Sequence, residues 1–181
     1  MNDVFYVIPA KAGILTQPKG ISMKKLFLFL PFIFPSAAFA ADLFSQEEKN
    51  HMMSFTLESF WGKAVDSQGK PVQPKDERER TIMPITREQA NYIIDKGGES
   101  GLAQWCGVAW QGRYQLIIEQ QRRYMKSDVQ VAYAGVLHGL AQNMLADAMK
   151  DDTCDEATRT QISQLISRDV EHLTKALSQK D

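Results

Sequence analysis

Only two cysteines occur in 181 residues, Cys106 and Cys154. That scarcity excludes a disulfide-dense scaffold, and two distant thiols without convergent histidines make a poor zinc site. Neither a glycine-rich phosphate loop, nor a Gly-x-Ser-x-Gly elbow, nor a paired zinc motif is present, so the common signatures of nucleotide, acyl-transfer and metal chemistry are missing. Charge of one sign is also lacking, with 21 Lys and Arg against 22 Asp and Glu. Such a balance carries no basic footprint for nucleic acid and no acidic tail. A spanning helix needs roughly 20 predominantly apolar residues, and the run from Leu26 to Phe34 is shorter and interrupted by Pro31.

What that run does carry is the layout of an export signal. Met23, Lys24 and Lys25 form a charged start, the apolar stretch follows, and Pro35 to Ala40 ends in Ala38-Phe39-Ala40. Cleavage is expected between Ala40 and Ala41, and no cysteine follows it to take a lipid. Residues 1–22 precede a start that Met23 already supplies, and read as an upstream extension of the start site. Residues 23–40 are the signal peptide, and 41–181 form one domain. Removing the first 40 residues takes away Lys11, Lys19, Lys24, Lys25 and Asp3, which leaves 17 basic and 21 acidic residues and a net charge of about −4. The destination is periplasmic or secreted, without a stable membrane anchor after cleavage.

The mature chain reads as all-α, a small bundle of about five helices. Ser45 and Glu48 have capping-box form ahead of Met53, Leu57, Phe60 and Trp61 at helical spacing. Thr86 and Gln89 repeat it before a short second helix for which Gly97-Gly98 offers a stop. Ser100 then opens a long helix of about 100–125, and Ser127 another of about 127–150, so the two form a central antiparallel hairpin. A last helix follows Thr153-Cys154-Asp155-Glu156 and places Ile162, Leu165, Ile166, Leu173 and Leu177 on one face. The intervening loop at about 65–85, with Gly69, Pro71, Pro74 and the charged run 76–80, is expected on the surface as a solvated, partly disordered linker rather than a partner-binding loop.

From Val129 to Ala146 the chain has no Asp, Glu, Lys or Arg. A helix apolar all round is surrounded by others, so this is the central one. Ala132, Gly135, Gly139 and Ala146 line a strip without bulk where another backbone could approach. The hairpin also brings Cys106 and Cys154 to one end of the bundle. Cys106 lies about 30 Å back from a turn near residue 126, and the returning helix covers about 36 Å. In an oxidising compartment the two are expected to pair, which stabilises the fold by about 4 kcal/mol in the chain-entropy model.

The same hairpin sets His138 level with Tyr114, near Trp110 and Arg113. These four are the candidate ligand-binding residues, since a buried imidazole beside a tyrosine can move a proton. A reaction would also need a nucleophile, a second acid or base, or an oxyanion donor; no catalytic residue, cofactor or metal is assigned. A core histidine that fixes helix register is the more frequent situation. His51 and His172 are expected at the surface, and the Asp169 and His172 pair is too small for a metal site. The sequence therefore favours an exported, non-enzymatic module that works by contact with protein over a ligand-binding protein or enzyme built around His138.

Overall fold

A computed structural model describes residues 42–179; the expected start-site extension at 1–22 and signal peptide at 23–40 lie outside the described residues. Six helices and no strand occur among them: α1 (Gln46–Phe60), α2 (Glu77–Arg80), α3 (Arg87–Trp105), α4 (Gln111–Tyr124), α5 (Asp128–Ala148) and α6 (Glu156–Ser178). The chain is an all-α bundle as its periodicity implies, with α2 as a short addition to five long helices. No helix among the described residues is long and apolar enough to cross a membrane.

The helix starts follow local chemistry. Ser45 and Thr86 close full capping boxes with Glu48 and Gln89, and Ser127 and Asp155 accept from the backbone of Gln130 and Thr158. Each cap satisfies an orphan amide and contributes about 1 kcal/mol.

One stop falls elsewhere than the sequence suggests. Gly97-Gly98 does not end a helix, because α3 continues through both glycines to Trp105, with Ser100 in its interior. The break comes at Cys106 and at Gly107, whose φ is +68°, and the chain re-enters a helix at Gln111. The first arm of the hairpin is accordingly 111–124, not about 100–125. The reason is tertiary: a Cβ on Gly97 would stand 2.5 Å from the His138 carbonyl oxygen, and one on Gly101 2.5 Å from that of Gln142. Glycine's cost in a helix, about 1 kcal/mol, is offset by the backbone contact that these positions allow. The close approach is thus made by glycines of α3 lying on α5, not by the expected strip of α5 itself; Gly135 in that strip faces the Tyr114 hydroxyl.

The register Gly97 to His138 and Gly101 to Gln142 means that α3 and α5 run in the same direction. Theirs is the most extensive helix interface. α1 packs on α5 through Met52, Met53 and Phe60, and the Tyr133 hydroxyl donates to the Met53 carbonyl at 2.9 Å. Buried Lys49 of α1 meets Asp95 of α3 at 2.7 Å. α4 and α6 pack largely against each other and form a second layer over α3 and α5. Ile162, Ile166 and Leu173 are the buried face of α6.

Because α4 leads away from Cys106 and α5 returns, the chain comes back to the end of the bundle where α3 stopped. Cys106 and Cys154 are disulfide-bonded there, with Cα atoms 5.3 Å apart, and the Trp105 indole donates to the Asp152 carbonyl at 3.1 Å.

The 65–85 segment has more built structure than a solvated linker. The Gly62 amide donates to the Val72 carbonyl and the Val72 amide to the Ala64 carbonyl, each at 2.8 Å, the Asp66 carboxylate accepts from the amides of Gln68 and Lys70, and Val72 and Ile85 are buried. Local capping of this kind satisfies backbone groups that composition alone would leave to water.

Candidate functional site

Lys96, Glu99 and Ser100 occupy one face of α3, with Tyr92 a turn earlier, because residues three and four apart in a helix share a side. α4 brings Arg113 and Tyr114 against that face, α5 brings His138, and α6 brings Asp169. Arg113 is 1% exposed, yet all sides of its guanidinium are engaged. Nε and Nη2 donate to Asp169 Oδ2 at 2.9 and 2.7 Å, Nη1 donates to the Lys96 carbonyl at 3.1 Å and to Ser100 Oγ at 3.0 Å, and Nη2 also donates to Glu99. Lys96 Nζ reaches the same Asp169 oxygen at 2.8 Å and both oxygens of Glu99. Two cations thus share two carboxylates across three helices.

Such a cluster is costly to bury, and a matched charge count with complete hydrogen bonding is what makes it tolerable. The two carboxylates are not equivalent. Burial pushes Glu99 above the usual carboxylate range, against the pull of Arg113 and Lys96. Burial acts the same way on Asp169, but there the hydrogen bonds and charges of Lys96 and Arg113 outweigh it and hold the group below its usual range. Lys96 is pushed down by burial and drawn up further by Glu99 and Asp169, so it ends above the usual lysine range.

The four residues that the sequence nominates do come together. The Tyr114 and His138 rings lie 4.7 Å apart, Trp110 sits edge-on to Tyr114 at 6.2 Å, and Ser100 Oγ, 3.2 Å from His138 Nε2, links the imidazole to Arg113. The serine and histidine have the spacing of a nucleophile and its base. Ser100 is 0% and His138 1% exposed, however, and the hydroxyl also donates to the Lys96 carbonyl. Burial, reinforced by the Arg113 charge, lowers the imidazole to about 3. No substrate atom can reach either group in this closed arrangement. What it does is lock the register of α3, α4, α5 and α6.

Among the described residues no group of three or more His, Cys, Asp and Glu converges as a metal site. His51 and His172 are exposed. An open groove of about 520 Å³ lies away from the cluster, along the polar face of α6 past Arg159, Ser163, Ser167 and Arg168.

Lys96, Glu99, Ser100 and Asp169 are not joined to the site by the sequence pattern. Three of them lie beyond or beside the helix stop assumed at Gly97. Once α3 runs unbroken, Tyr92, Lys96, Glu99 and Ser100 form a polar stripe on an otherwise packed helix, and that stripe is the signal. No protein-family model, curated protein or solved structure matches the chain.

Proposed function

We infer that this is an exported helical module, periplasmic or secreted, that works by contact with another protein rather than by catalysis. The observation that carries the reading is the enclosure of His138 and Arg113. A catalytic or ligand-binding role for these groups needs a solvent-connected cavity where they converge; they converge on each other and on Ser100 instead. Their hydrogen bonds are spent within the protein, as expected of residues that specify one packing. The disulfide is consistent with an oxidising compartment.

The test uses the mature, oxidised chain as bait on envelope extract and culture medium. The expected result is a protein that rebinds the purified chain in isolation, and binding that survives His138→Gln even where stability falls. Recovery of small molecules alone, with binding abolished by His138→Gln in a folded protein, overturns the reading.

A further inference from the structure

His138 occupies a position where an added proton cannot be accommodated. An imidazolium there would stand one hydroxyl, that of Ser100, from the Arg113 guanidinium. Ser100 of α3 and Tyr114 of α4 face it directly and Arg113 of α4 is the charge that acts on it, while Lys96 and Glu99 of α3 and Asp169 of α6 lie one step further out, on Arg113. α1 meets α5 nearer its start, at Tyr133 and the Met53 carbonyl. Burial raises Glu99, so proton uptake there favours the closed form and the imidazole alone supplies the drive to open.

The layer that covers this cluster is tied to the rest of the fold at one end by the disulfide. α4 and α6 both begin shortly after a disulfide-bonded cysteine, at Gln111 after Cys106 and at Glu156 after Cys154. Beyond the bridge, α6 is held by Ile162, Ile166 and Leu173, by Asp169 on Arg113 and Lys96, and by Arg123 donating to the Leu177 carbonyl. The glycine-mediated seam between α3 and α5 involves none of these.

We propose that α6 is an acid-released, disulfide-tethered latch: protonation of His138 unseats Arg113 and with it Asp169, and α6 lifts about the Cys106–Cys154 bridge while α3 and α5 stay packed. Release uncovers Ile162 and Ile166 together with Leu102 and Ala103, the apolar cluster that they share. The closed state holds the imidazole neutral down to about 3, whereas an opened one regains the ordinary histidine value. Acid therefore favours the open form by mass action.

Amide hydrogen exchange on the mature, oxidised chain tests the latch across the range where histidine titrates. Protection factors in α6 should fall about tenfold per pH unit below about pH 6.5, ahead of those in α3 and α5. His138→Gln keeps a polar group beside Ser100 but cannot take the charge, so α6 protection should become flat over that range. The proposal is overturned if α6, α3 and α5 lose protection together at every pH, if α6 is insensitive to pH, or if a folded His138→Gln follows the wild type. Should that variant not fold, the wild-type imidazole resonances decide: a His138 ring that titrates near its ordinary value with α6 still protected sinks the latch, and one that takes its proton only as α6 opens supports it.

Discussion

Gly97 faces the His138 carbonyl across the α3 and α5 seam so closely that a Cβ would lie 2.5 Å from the oxygen and 2.8 Å from the Ala141 Cβ. Two helices running in the same direction are held in register at this point by a backbone contact rather than by interdigitated side chains. Gly97→Ala should therefore lower stability by about 2 kcal/mol, since the overpacking cost of about 1–3 kcal/mol exceeds the gain in helix propensity. Adding Ala141→Gly should return only part of the loss, because the carbonyl remains in place. Denaturant titration of the single and double variants measures both effects.

Asp169 provides a second test, on charge rather than volume. Asp169→Asn leaves the buried Arg113 guanidinium with Glu99 as its remaining carboxylate and should cost about 2–4 kcal/mol. Pairing Arg113→Met with Asp169→Leu should cost less than the two single changes summed, with a coupling of about 1–3 kcal/mol. Additive losses would show that the pair does not act as a unit.

Acid stability should follow the shifts in the cluster, with the signs worked through group by group. The folded His138 is lowered to about 3 from the ordinary histidine value of 6.5, so the unfolded chain binds the extra proton between those values. Its contribution is complete above about 6.5 and is lost at about 1.4 kcal/mol per pH unit as pH falls. Asp169, held below its usual range, loses stability in the same direction at lower pH, whereas Glu99, held above it, works the other way. Calorimetry of wild type and His138→Gln against pH should show the steeper dependence in the wild type.

Reduction of the Cys106–Cys154 bridge, which closes a separation of 48 residues, should destabilise the protein by about 2–4 kcal/mol. Intact mass supplies an independent check on export and oxidation together. The protein recovered from cells should begin at Ala41 and be two hydrogen atoms lighter than its reduced form.

Much of the local structure is legible in the residues themselves. Ser45 with Glu48, Thr86 with Gln89, and Ser127 mark helix starts because a cap depends on side chains within one turn of the backbone that they satisfy. The charge-free stretch from Val129 identifies the inner helix for an equally local reason. Gly97 and Gly98 are misleading on the same criterion, since a glycine pair at a helix end and a glycine pair at a helix crossing are alike until the partner is known. Tyr114 beside His138 follows from hairpin register, but matching Arg113 with Glu99 requires α3 to run past Gly97, and matching it with Asp169 requires α6 to lie against α4.

The sequence by itself determined the helical class, the caps at Ser45, Thr86 and Ser127, the inner helix and the pairing of its only two cysteines, because each rests on local side chains, periodicity, composition or chain reach. Only the tertiary structure decided that α3 passes through its glycines onto the backbone of α5. It also decided that His138 and Arg113 meet behind Asp169 with no opening to water. Both outcomes depend on contacts between segments distant in the chain, and those are set by how whole helices pack rather than by any one of them.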